Sequence, residues 1–176
     1  MRKVLMIIAP ENFRDEELLE PKSYFESKGY SVKIASTRKG ECKGMLGAQV
    51  KAELALNDIK TNDYDVIIFV GGAGTPLVRK EKKAEEIAKE AVENGKVVAA
   101  ICWAPTILAK AGVLRGKMAT VWAGPDSEFG MMTTDYLKKE GALYQKQPVV
   151  VDGKIITAEG PHAAKKFAEE IAKLLG

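Results

Sequence analysis

The sequence is poor in sulfur and in imidazole. Its 176 residues hold two cysteines, Cys42 and Cys102, and one histidine, His162. Neither cysteine stands in a metal-ligand spacing, and a lone histidine cannot complete a structural zinc site, so no metal is expected. Long hydrophobic runs are lacking too. The opening MRKVLMIIAPENF carries a run of just six apolar residues, Val4 to Ala9, before a proline and an acidic cluster. That is too short for a signal-peptide core and far too short to span a bilayer. A cytoplasmic protein with reduced thiols and no membrane contact is expected. An excess of one charge is also missing: the net charge is +3, and lysines alternate with glutamates along helix-like stretches. A nucleic-acid partner would require basic residues gathered on one face, and is not expected. Glutamine and asparagine are scarce, three and four, beside abundant Lys and Glu. That balance points to a thermophilic source.

At 46% hydrophobic and 29% charged, the chain reads as one soluble globular domain over residues 1–176. Val4 to Ala9, Val66 to Val70 and Val97 to Ile101 are continuous apolar runs, as in strands buried on both faces. Tyr30 to Ala35 and Lys117 to Val121 read as further strands. Glu16 to Lys28, Glu81 to Asn94, Trp103 to Ala111, Met131 to Glu140 and Ala163 to Leu175 have helical apolar spacing. The first four are each followed by glycine as a stop signal. Short strands are expected near Gln49 to Ala52. Asp152-Gly153 between Val149 to Val151 and Lys154 to Thr157 signals a hairpin. Strands alternating with helices predict an α/β, doubly wound, mostly parallel sheet between helices. Ligands of such folds sit beyond the carboxyl ends of the strands, so the loops after Ala9, Val70, Ile101, Val121 and Thr157 should share the functional edge.

Cys102 lies where the strand VVAAI leaves the core and a helix starts. Free cysteines are usually buried and inert. At a helix N-terminus, however, backbone N–H groups and the helix dipole stabilise thiolate, and a lowered pKa is expected. Asp15, Glu16 and Glu17 open the first helix on the same edge. The dipole accounts for two of them, and spacing does not choose the third. Gly71-Gly72-Ala73-Gly74 either makes a tight turn or brings backbone N–H groups to a ligand. His162 opens the last helix on the same edge, as a surface cap or as the one side chain with an unperturbed pKa near neutrality. Cys42, expected in a polar, glycine-rich loop with no helix behind it, is given no role.

Several of these stretches together resemble the superfamily that joins PfpI-type intracellular proteases with the human parkinsonism protein DJ-1. They are Ala99-Ala100-Ile101-Cys102 with Pro105, Ala111-Gly112-Val113-Leu114-Arg115-Gly116, Asp65-Val66-Ile67-Ile68 before Gly71-Gly72, and Glu17-Leu18 with Pro21. The resemblance covers essentially the whole chain and implies a flavodoxin-like fold related to class I glutamine amidotransferases. It implies a cysteine on a strained nucleophile elbow, Cys102, hydrogen-bonded by a glutamate from the first helix, Glu17. It also implies backbone donors at Gly71 and Gly72, and assembly into a homodimer or a dimer-built hexamer.

The departures from that pattern narrow the activity. Protease-like members carry histidine directly after the cysteine, where this chain has Trp103, and an indole cannot accept a proton. They also carry a glutamate shortly after the glycine pair, where this chain reads Ala73-Gly74-Thr75-Pro76. A glutaminase triad would need glutamate two residues after His162, where Ala164 stands. The resemblance therefore implies a stress-type protein acting on small reactive aldehydes, glyoxalase- or deglycase-like. Cys102 would be nucleophile, Glu17 proton shuttle, and Gly71, Gly72, Trp103 and His162 substrate contacts, without a cofactor. The rivals are a non-enzymatic redox sensor or chaperone-like protein, and a peptidase in which His162 replaces the missing base.

Overall fold

The computed structural model describes residues 1–176. Seven strands form the central sheet: β1 (Lys3–Ile7), β2 (Ser31–Ser36), β3 (Leu54–Ala55), β4 (Val66–Phe69), β5 (Val97–Ile101), β6 (Val149–Asp152) and β7 (Ile155–Ala158). Their order is β6-β7-β5-β4-β1-β2-β3, parallel throughout except for the β6–β7 hairpin at one edge. The interior strands β4 and β5 are buried at every residue, as their unbroken apolar runs require when helices cover both faces.

The helices are α1 (Asp15–Ser27), α2 (Thr75–Arg79), α3 (Lys82–Glu93), α4 (Pro105–Lys110), α5 (Thr133–Lys139) and α6 (Ala164–Leu175). α1 and α6 pack against each other on one face, while α3 and α4 lean on β5 from the other. α6 presents Phe167, Ala168, Ile171 and Leu175 to the core at helical spacing, with lysines and glutamates outward. The architecture is the flavodoxin-like α/β sandwich expected.

Three local expectations need correction. Lys117 to Val121 does not join the central sheet; only Met118–Ala119 is extended, pairing with Leu143–Tyr144. It runs beside β6 and β7 but meets them through side chains: the Met118 amide donates to Asp152 Oδ2 at 2.8 Å and the Thr120 amide to Thr157 Oγ1 at 2.9 Å, so these amides do not enter the sheet ladder. Second, the helix after Cys102 begins at Pro105, leaving Cys102 in a turn. Third, Cys42 lies in the strand Gly40–Gly44, within a three-stranded side sheet with Glu11–Phe13 and Gln49–Ala52, and its side chain is in the core. Alternation explains this last miss: in the burial pattern of that strand only positions 42 and 44 face inward.

Phe167 is fully buried where α6 meets the sheet. Phe167→Ala should cost about 3–5 kcal/mol, read as a lower urea midpoint at unchanged m-value.

Candidate active site

Backbone hydrogen bonds gather the loops at the carboxyl edge. The Arg14 amide donates to the Gly71 carbonyl at 2.8 Å, the Cys102 amide to the Ala158 carbonyl at 2.8 Å, and the Trp122 amide to the Cys102 carbonyl at 2.7 Å. Cys102 is pinned through both its backbone groups, in the left-handed region at φ 65°. That conformation costs a non-glycine residue roughly 1–2 kcal/mol, and it turns the thiol out of the strand direction into a cavity. The cavity, about 410 Å³, is lined by Met45, Gly72, Ala73, Trp103, Trp122 and Pro161, with Arg14 at its side. A larger groove of about 700 Å³ near Tyr24 and Lys173 has no cysteine in its lining.

Each member of the acidic trio has a separate partner. Asp15 accepts from the amides of Leu46 and Ala48, at 2.9 and 2.8 Å, which fixes the turn that carries Met45 into the cavity wall. Glu16 takes the Arg14 Nε and Nη2 at 2.8 and 3.0 Å, and this hydrogen-bonded ion pair holds its carboxyl below the ordinary range. Glu17 is fully buried. Its Oε1 accepts from the Gly71 amide at 3.0 Å, its Oε2 has no hydrogen-bond partner, and the carboxyl lies close enough to the Cys102 thiol for each to act on the other's ionisation.

Burial raises the Glu17 pKa to about 8, against the lowering effect of its hydrogen bonds to Cys102 and Gly71. At neutral pH the carboxyl is therefore protonated and Oε2 can donate to sulfur. Burial likewise pushes the Cys102 thiol up, helped by charge on Glu17 and opposed by the nearby amides of Gly72 and Trp103. The expected low-pKa thiol is thus corrected. The helix N-terminus lies three residues on, too far to outweigh desolvation. Cys102 and Glu17 titrate as one unit that sheds its first proton only near the top of the physiological range.

Glycine is required at 71 for space: a Cβ there would strike the Ile101 carbonyl oxygen and come within 2.7 Å of Cys102 Cβ and 2.8 Å of Glu17 Oε1. Gly72 sits at φ 114°. The two glycine amides divide their work, Gly71 holding Glu17 and Gly72 facing the sulfur.

The indole of Trp103 donates from Nε1 to Asp126 Oδ2 at 2.8 Å and packs on Trp122 with ring centroids 5.1 Å apart. Asp126 is in turn held by the fully buried Arg79, through bonds of 2.6 and 3.1 Å. Arg79 also reaches Thr106 and Glu128 and lies over the Phe129 ring. Neither Arg79 nor Asp126 stands out in the sequence, because the fold alone joins position 79 to position 126. His162 is not part of the cavity. Its side chain is 62% exposed and its Nε2 pairs with Glu159 at 2.9 Å. As the first turn after β7, Gly160-Pro161-His162 turns the proline inward and leaves the ring outside.

The DJ-1/PfpI family model matches residues 2–174. The chain belongs to the DJ-1/PfpI family. It is 34% identical over 173 residues to a Pyrococcus furiosus protein named deglycase PfpI, covering 98% of this chain and 99% of the relative. It is 26% identical over 174 residues to a Caenorhabditis elegans protein named a glutathione-independent glyoxalase, covering 99% of this chain and 89% of that one. Among solved structures, a ThiJ/PfpI domain protein of Brachyspira murdochii superposes with TM-score 0.90 at 31% identity, over 98% of this chain and 95% of that one.

Two measurements check the buried pair. Iodoacetamide labelling of Cys102 should still be accelerating at alkaline pH, because burial holds the thiol above its ordinary value, with the fully buried Cys42 unlabelled until the protein unfolds. A rate already at its plateau by about pH 6 would mean an activated thiol. The second is stability. A carboxyl whose folded pKa lies above its unfolded value holds its proton more tightly when folded. Its stabilisation is complete below the unfolded pKa and is lost as pH rises through the folded one. Between pH 5 and 8, wild type should therefore lose stability relative to Glu17→Gln, by up to a few kcal/mol, in paired urea titrations.

Proposed function

We propose that the protein converts α-oxoaldehydes, free or released from their adducts with amines and thiols, into α-hydroxy acids. The observation that carries this reading is the fully buried Glu17 carboxyl, one oxygen held by the Gly71 amide and the other without a partner, next to Cys102 at the floor of a largely apolar cavity. The names of the deglycase and glyoxalase relatives support it.

In the reactive form the pair keeps one proton, on Glu17, with the negative charge on sulfur. The thiolate adds to the aldehyde carbon, and the charge passes to the carbonyl oxygen beside the amides of Gly72 and Trp103. Glu17 gives its proton to that oxygen, yielding a neutral hemithioacetal. The Glu17 carboxylate then takes the hydrogen from C1 as a proton and returns it at C2, while the hydroxyl proton on the C1 oxygen passes to the C2 oxygen. The former aldehyde carbon is oxidised to a thioester and the ketone carbon is reduced to an alcohol. Water cleaves the thioester, releasing the hydroxy acid and restoring the thiol. The balance is one oxoaldehyde plus one water to one hydroxy acid, without an external oxidant. Trp103 serves as a wall in this scheme, and its side chain moves no proton.

A redox sensor is favoured by one feature of the same site. A sulfinate at Cys102 would find the Glu17 carboxyl as donor and the Gly72 and Trp103 amides around it.

The test is incubation with methylglyoxal, following lactate formed and aldehyde lost. Wild type should turn over, Cys102→Ala should not, and Glu17→Gln should lose about 100-fold or more in kcat while remaining alkylatable. Oxidation of Cys102 by mild peroxide in a protein that produces no lactate would favour the sensor. Full activity in Glu17→Gln would remove the carboxyl from the chemistry.

A further inference from the structure

The cavity over Cys102 has a single charged lining residue, Arg14, among residues that are otherwise apolar or glycine. Arg14 is anchored at both ends. Its amide donates to the Gly71 carbonyl at 2.8 Å, and Glu16 grips its Nε and Nη2 side-on at 2.8 and 3.0 Å. That grip leaves Nη1 without a protein acceptor. The side chain is 30% exposed and close enough for its charge to act on Cys102. Glu16, which orients the guanidinium, is not among the cavity-lining residues. A planar cation held in one orientation, with a free N–H edge beside a nucleophile, suits a carboxylate better than any neutral group. A substrate bound by its aldehyde at Cys102 and its body against Trp103, Trp122 and Met45 would meet Arg14 with its far end.

We infer that Arg14 makes the Cys102 cavity selective for α-oxoaldehydes bearing a carboxylate a few carbons from the reacting group. The inference rests on the proposed reaction for its substrate class, but the anion site can be tested without turnover. Both tryptophans of the chain, Trp103 and Trp122, line the cavity, so intrinsic fluorescence reports its occupancy. The unreactive probe is 4-oxopentanoate, with its methyl ester as the neutral match. The acid should half-saturate the wild type at a concentration about tenfold or more below that of the ester. Arg14→Gln should erase the difference, and Arg14→Lys, which keeps charge without the fork, should retain part of it.

Turnover then reads selectivity. With 4,5-dioxopentanoate against its methyl ester, the ratio of kcat/KM should favour the acid in wild type and fall towards one in Arg14→Gln, chiefly through KM. Equal half-saturation by acid and ester, silence towards both, or a difference that survives in Arg14→Gln would each overturn the inference. A binding difference in a protein that turns over neither oxoaldehyde would sink the proposed reaction and leave the anion site standing.

Discussion

A carboxyl and a thiol share one dry corner of this protein, and the surrounding structure is arranged so that they can. Neither group can ionise cheaply away from water, so the pair holds its protons longer than either would alone. Three elements enforce the contact: α1 supplies the acid, β5 ends at the thiol, and the Gly71-Gly72 turn fills the gap without a side chain. The left-handed backbone at Cys102 is the cost of aiming sulfur at the acid instead of along the strand. It is sustained by the ladders of β5 with β4 and β7 and by the hydrogen bonds on both sides of that residue.

The wall of the cavity has its own support. Arg79 and Asp126 are charges taken almost wholly out of water, which is tolerable because nearly every polar atom of the pair has a partner. Arg79 Nε alone lacks one. A buried ion pair of this kind adds little net stability. What it supplies is direction: Asp126 can accept the Trp103 N–H in one place only, so the indole plane is set before a ligand arrives.

Much of the framework was legible because burial on both faces writes itself as unbroken apolar runs. Val97 to Ile101 is a strand with the bounds read for it, and the helix ends at Gly29 and Gly95 fall within a residue or two of the expected stops. Short side-sheet strands such as Glu11–Phe13 were invisible, since three residues carry no period. In the site, the placement of Cys102 and the glycine pair could be read from strand ends. Spacing could not choose Glu17 over Asp15 and Glu16, because all three suit a helix N-terminus; the family resemblance singled it out, and the tertiary contacts give the three residues different surroundings. The thiol's ionisation was misjudged for a related reason. Sequence shows the nearby helix start but not the depth of burial, and here depth dominates.

The Asp126 carboxylate, braced by Arg79, behaves as a socket for a ring N–H at position 103. An imidazole there would present a nitrogen at a similar reach from the backbone and find its acceptor already in place, with its tautomer dictated by that acceptor. The distance between an indole-walled cavity and one equipped with a base is therefore one side chain. The scaffold carries the support for a proton-accepting residue that its own sequence does not use.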